Sequence, residues 1–277
     1  MRTTLPACVA LLLLSAAASA QQTDQSEDTR LPLWEVGVLG GAASTPAYPG
    51  AENREGRAIA LPWLIYRGKI LRADQSGVGA RLLRTERTEL DLGFALSLPS
   101  RSANIEARKG MPDLDSLLEF GPRLKVKLLR LDEHSGLRFE APLRAVFQVR
   151  GREHQGYTFE PKLVYETGRA GDWAIDASVG VVAGSKRLQE YFYSVDPQYA
   201  TPARPAYAAR GGMMMARTTV GGWHALGKDW RVFGFLRYDN YSGASNGASP
   251  LMRQNSGLSA GMGFAWTLRR SEARVTP

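Results

Sequence analysis

From Leu33 onward, hydrophobic and polar residues alternate one for one over long stretches. In TELDLGFALSL (88–98), Leu90, Leu92, Phe94, Leu96 and Leu98 fall on one face, and Glu89, Asp91, Gly93, Ala95 and Ser97 on the other. Strict alternation over this length predicts a strand, because side chains leave a strand on opposite faces in turn. GLRFEAPLRAVFQV (136–149), YTFEPKLVYE (157–166), DWAIDASVGVVA (172–183), KDWRVFGFLRYDNY (228–241) and GLSAGMGFAWTL (257–268) repeat the pattern. The expected strands are 33–41, 57–66, 69–73, 77–84, 88–98, 118–130, 136–149, 157–167, 172–183, 211–224, 228–241 and 257–268. That is about twelve strands, or 10–12 in all, since 69–84 also reads as one bent strand; many exceed the ~5–6 residues usual in soluble sheets.

The connections alternate in length. Short turns fall at 67–68, 84–87, 131–135, 167–171 and 225–228; long ones fall at 42–56, 99–117, 150–156, 184–210 and 242–256. Residues 73–76 are short where the series wants a long loop. Aromatics gather near strand ends: Trp34, Trp63, Tyr66, Tyr157, Trp173, Trp223, Trp230 and Trp266. An even strand count, alternating loop lengths and terminal aromatics predict an all-β fold, a transmembrane antiparallel β-barrel spanning 33–268. A soluble sandwich or lipocalin-like barrel would show the same alternation with the apolar face inward. Twelve long strands would then enclose a wide apolar interior needing filler. The basic residues Arg123, Lys125, Arg138, Arg144, Lys162, Arg231 and Arg237, interleaved with acids, suit a wet lumen instead.

The N-terminus changes the compartment. Arg2, the apolar run Val9–Ala18 and Ala18-Ser19-Ala20 make a secretory signal over residues 1–20. A polar, flexible lead-in (21–32) follows, and the chain ends in a basic tail (269–277). Cys8 is the only cysteine and leaves with the signal, which excludes disulfides, a thiol nucleophile and a cysteine metal site. The formal net charge of +8 falls to +7 once Arg2 is removed. In an exported barrel this basic balance points to anionic lipid, lipopolysaccharide or murein rather than nucleic acid.

No catalytic constellation is visible. His134 is expected in a short turn, His154 in a long loop and His224 at a strand end, and none has a serine partner at adjacent outward positions. Asp113, Asp115, Asp132 and Glu133 read as turn chemistry, since no glycine-anchored calcium loop surrounds them. The expectation is a protein without enzymatic activity or cofactor. Two roles remain open. One is a scaffold whose short turns, including Glu133, Arg169 and Lys228, contact partners. The other is a channel or surface-loop binder whose tyrosine-rich 184–210 loop (Tyr191, Phe192, Tyr193, Pro197, Pro205, Tyr207) is a lid or a recognition surface.

Four segments, in order, resemble the MipA/OmpV outer-membrane family: YPGAENREGRAIALPWLIYRGKILRADQSGVGARLL (48–83), GMPDLDSLLEFGPRL (110–124), YFYSVDPQYATPARPAYAARGG (191–212) and GASNGASPLM (243–252). Two features depart from the family pattern: Ala244 stands where an acid is frequent, and the basic tail follows the last strand. The resemblance implies an outer-membrane barrel of a Gram-negative cell. It also implies a scaffold joining a lytic transglycosylase to a penicillin-binding protein, other members being porin-like, osmoregulated or adhesive.

Overall fold

The structure, a computed structural model, describes residues 31–68, 71–74, 77–132, 135–167 and 173–275. The signal segment, most of the lead-in, and Glu133, His134 and Arg169 lie outside the described residues. The strands are β1 (Leu31–Pro32), β2 (Trp34–Pro46), β3 (Arg54–Arg67), β4 (Leu71–Asp74), β5 (Gly77–Arg84), β6 (Thr88–Ser97), β7 (Leu117–Arg130), β8 (Ser135–Gln148), β9 (His154–Phe159), β10 (Lys162–Thr167), β11 (Trp173–Gly184), β12 (Gly212–Leu226), β13 (Trp230–Asn240), β14 (Ser256–Arg270) and β15 (Arg274–Val275). β2 to β14 form one antiparallel sheet in which each strand but β9 and β10 pairs with its sequence neighbours, and β14 returns to β2. β9 and β10 share one wall position between β8 and β11, so the ring has twelve positions. The break between them falls at Glu160-Pro161, where proline has no N–H to give the ladder.

Paired residues share a face, so one inward residue fixes its neighbours. Glu35, Asp91, Glu140 and Asp239, only 3–6% exposed, mark the inside. The opposite face is apolar and bare, with Met262 at 74%, Leu96 at 63% and Leu236 at 51% exposure. Aromatic bands border it. At the short-turn end Trp230 stacks on Trp266 (5.3 Å) and Trp173 on His224 (4.2 Å). Toward the other end Phe94, Phe120, Phe147, His154 and Tyr157 form a row across four strands, with neighbouring centroids 4.8–6.2 Å apart. An apolar outer band between aromatic girdles, closed without a free edge over most of its circumference, is an outer-membrane β-barrel. No helix among the described residues is long and apolar enough to cross a membrane.

Two expected girdle residues face inward instead. Trp63 lies opposite Gly37 and donates its indole N–H to the Trp266 carbonyl (3.2 Å); Trp223 pairs with inward Phe233. In the first case the missing side chain of glycine leaves space for an indole. β2 runs five residues past the expected Gly41, because Ala42 and Ala43 extend the strand without any apolar alternation. β14 continues to Arg270, and β15 pairs with β1, tying together the two segments that flank the barrel at the short-turn end. Residues 185–211 are more regular than their proline and glycine content suggests: α1 (Lys186–Tyr193) opens the segment and a short 3-10 turn (Pro197–Tyr199) follows.

Candidate functional site

The lumen is crossed by ion pairs. Arg123 grips Asp91 with two parallel hydrogen bonds (2.9 and 2.7 Å), and Lys125 bridges Asp91 (2.9 Å) to Glu89 (3.2 Å). Arg138 reaches Glu140 at 2.8 Å, and Lys162 lies 3.8 Å from both Glu140 and Glu160. Arg144 stands 3.4 Å from Glu119 and Glu160. Arg217 links Glu160 (3.7 Å) to Asp239 (2.7 Å), which also holds Arg237 (3.6 Å). Nearer the short turns Glu35 accepts from Arg67 (2.6 Å) and Arg231 (3.0 Å). All seven basic residues singled out in the sequence thus lie inside, each within ion-pair distance of an acid. Cross-strand register supplies the pairing: Asp91 sits opposite Arg123, and Arg217 opposite Asp239. Charges held this way occupy the lumen rather than present a free cationic surface.

The long-loop end is filled from above. Inward wall residues Leu117, Val146, Val182 and Met215 carry a buried cluster completed by loop residues Tyr48, Ile105, Leu114, Leu188, Tyr193, Val195, Tyr241 and Leu251. The 185–211 segment therefore folds into the mouth. Tyr193 is fully buried; Tyr191, Phe192 and Tyr207 are half-buried; Pro197 and Pro205 stay exposed. Polar contacts stitch the loops together. The Tyr191 hydroxyl accepts from the Asp115 N–H (2.6 Å), Ser249 Oγ donates to the Tyr193 carbonyl (2.7 Å), and Tyr48 Oη donates to the Leu251 carbonyl (2.6 Å). Gln189 donates to the carbonyls of Gly184 (3.1 Å) and Gly212 (2.7 Å), while Asn246 Oδ1 accepts from Arg210 N–H (3.0 Å) and Tyr207 Oη (3.2 Å). Gly50 is needed where it stands: its φ is +86°, and a Cβ there would meet the Met252 sulfur at 2.1 Å. Each of the four family-like segments contributes to this cap.

Sequence reasoning missed Gln189, Asn246 and Arg108. Arg108 is buried and joins two loops, donating to the Phe192 carbonyl of the 185–211 segment and, within its own loop, to the Pro112 carbonyl (both 3.2 Å) and Ser102 Oγ (3.3 Å). An arginine in a Gly/Pro-rich loop gives no periodic signal that would single it out. Burial also acts on the cap phenols. It pushes Tyr48 and Tyr241 up to about 12 and Tyr193 well above its ordinary value. The unfolded phenol ionises near 10. The raised folded values favour the protonated form, so the contribution of Tyr48 and Tyr241 is complete below about pH 10 and is lost as pH rises through about 12. Tyrosinate absorbance is expected to rise in two waves, exposed tyrosines first and the cap only as it loosens. A single wave near pH 10 with the cap intact would contradict this.

The short-turn rim is basic. Arg84, Arg87, Lys127, Arg130, Lys228, Arg269, Arg270 and Arg274 are exposed there, against Glu86, Asp132, Glu166, Asp229 and Glu272 among the described residues. Lys228 lies at the β12–β13 turn, where its carbonyl accepts from Arg270 (3.0 Å). His154 and His224 sit at opposite ends of the barrel. No group of three His, Cys, Asp or Glu residues arranged to hold a metal occurs among the described residues.

A family model described as "MltA-interacting protein MipA" matches residues 36–268. No match was found among curated proteins. Among solved structures, a bacterial polysaccharide outer membrane secretin is similar at 11% identity over 85% of this chain and 99% of that one, with a TM-score of 0.40. An outer membrane channel from Pseudomonas putida F1 is similar at 12% identity over 87% and 98%, with a TM-score of 0.37. Outer membrane phospholipase A from Escherichia coli is similar at 9% identity over 86% and 94%, with a TM-score of 0.34.

Proposed function

The chain belongs to the MipA family of MltA-interacting proteins, and on that premise we propose that it is a non-enzymatic outer-membrane scaffold whose periplasmic rim docks a lytic transglycosylase and, with it, a penicillin-binding protein. The family match carries this reading. Geometry supports it by elimination of area: the mouth is filled by loops and much of the lumen is crossed by ion pairs. The short-turn rim, periplasmic in bacterial barrels, is what remains for a partner. Its eight exposed basic residues against five acids, among those described, suit an acidic protein face or anionic murein.

Photo-crosslinking residues at Arg87 and Lys228 are expected to capture the transglycosylase in intact cells, and one at Pro205 in the cap is not. Reversing Arg84, Arg87 and Lys228 to glutamate is expected to weaken binding about tenfold and flatten its salt dependence. Capture from Pro205 alone would overturn the scaffold and favour a surface-loop role. Capture from no position would leave the porin-like alternative, tested by conductance in planar bilayers.

A further inference from the structure

The barrel wall has a side opening. β4 pairs with β3 only at Tyr66↔Ala73 and Arg67↔Arg72, and the β4–β5 hairpin turns back at Asp74↔Gly77. Among the described residues β3 therefore runs from Arg54 to Ile65 with no strand beside it on that side, on the order of 35–40 Å of edge. Across the gap, β6 pairs with β5 only as far as Gly79↔Gly93. Toward the mouth Arg57 crosses the gap, donating to the Pro99 carbonyl and to Ser100 Oγ (3.2 Å). A window thus lies between β3 and β6, framed by the hairpin below and the arginine above.

β3 is built for that place. Its segment AIALPWLI (58–65) is apolar on both faces, unlike the alternating strands. Odd-numbered residues of β3 turn their backbone groups toward β2, as the Arg67 N–H to the Leu33 carbonyl (2.8 Å) shows on that same side. Even-numbered ones face the gap, so Pro62, which has no N–H, removes one donor from the open edge.

Behind the window the lumen is apolar, not charged. Ile59, Leu61 and Trp63 of β3 face in beside Leu39 of β2 and Phe233 and Phe235 of β13. Ile59 and Leu61 keep 43% and 53% exposure although they point inward, so their apolar surface is uncovered. The Phe233 and Phe235 rings lie flat on the wall, 2.6 and 2.5 Å from where a Cβ at Gly263 or Gly261 would stand. At the top of the window a pocket of about 400 Å³ is lined by Arg57 and Arg101 with the acid Glu55, which pairs with Arg57, while Arg54 at its edge turns its guanidinium away to Ser44 and the Leu258 carbonyl. Ion pairs border this patch at both ends, Glu35 with Arg67 and Arg231 toward the short turns and Arg237 with Asp239 toward the mouth.

We propose that the window admits a phosphate-bearing lipid of the surrounding bilayer, its headgroup on Arg57 and Arg101 and an acyl chain laid on the inner wall of Ile59, Leu61 and Phe235. Arginine suits phosphate through paired, charge-assisted hydrogen bonds. A polar headgroup and its water also satisfy the edge amides that hydrocarbon alone would leave unpaired. The site is independent of the rim and of any docked enzyme.

The test uses the wild-type barrel in nanodiscs containing phosphatidic acid with a diazirine on its acyl chain, with adducts mapped by mass spectrometry. Adducts on inward Ile59, Leu61 and Phe235 are expected, about fivefold more than from phosphatidylcholine carrying the same chain. Arg57→Ala with Arg101→Ala is expected to bring phosphatidic acid down to the phosphatidylcholine level, with heat-modifiable gel mobility reporting that the barrel is folded. Adducts confined to outward Leu64, Leu96 and Met262 would overturn the proposal. Equal inward labelling by the two lipids, or by a free diazirine fatty acid, would overturn the phosphate site.

Discussion

Asp239→Ala is expected to lower barrel stability by roughly 3–5 kcal/mol, the cost of removing one partner from a buried ion pair. Asp239 is 4% exposed and accepts from Arg217 at 2.7 and 3.1 Å while holding Arg237 at 3.6 Å. Its loss leaves two guanidinium groups in the lumen with one shared acid, Glu160, at 3.7 Å from Arg217. Urea unfolding from lipid bilayers, followed by heat-modifiable gel mobility, reads the change. The companion variant, Asp239→Leu with Arg217→Met, is expected to recover most of the loss, because an apolar pair of similar volume removes both charges together. A fall under about 1 kcal/mol in the single variant would mean that water solvates both arginines and that the lumen is wetter than the pairing implies.

Most of the wall was legible in the sequence. The face assignments at 88–98 and 136–149 reproduce the structure residue by residue, since period-two alternation survives wherever one face meets lipid and the other meets charge. Alternation failed where both faces are apolar. Phe233 and Phe235 of β13 went unassigned for that reason, and AIALPWLI gave a strand but not its inward half. The basic residues of the lumen were identifiable one by one; their partners were not. Asp91 and Arg123 are 32 residues apart, and only the register of β6 on β7 brings them together. The cap was least visible. Its helix is eight residues long between glycine- and proline-rich stretches, too short to show a helical period, and its hydrogen bonds join loops far apart in sequence. The four family-like segments did carry its location. Tyr48 with Leu251, Tyr191 with Asp115, and Tyr193 with Ser249 each join two of them.

Tyr193→Ala separates the cap from the wall. The side chain is fully buried at the centre of the mouth cluster, and truncating a buried aromatic costs roughly 3–5 kcal/mol. That loss falls on loops that pack onto the barrel rather than on the strand ladder, so local opening is expected while the folded gel mobility persists. Trypsin applied to intact cells reads the opening at the Arg210–Gly211 bond; in the closed cap the Arg210 N–H donates to Asn246 Oδ1 (3.0 Å) and its guanidinium to the Ser245 carbonyl (3.0 Å). Cleavage is expected to rise about a hundredfold, as a shift of ~3 kcal/mol in a local equilibrium implies. Conductance then distinguishes the two obstructions. If cap and ion-pair network lie in series, Tyr193→Ala alone leaves the barrel nearly closed, because the Arg217–Asp239 and Arg123–Asp91 pairs still cross the lumen. Adding Asp239→Ala is expected to raise conductance well beyond the sum of the two single variants. A large rise from Tyr193→Ala alone would show that the cap is the gate, and would shift the reading of the protein from periplasmic scaffold toward regulated pore.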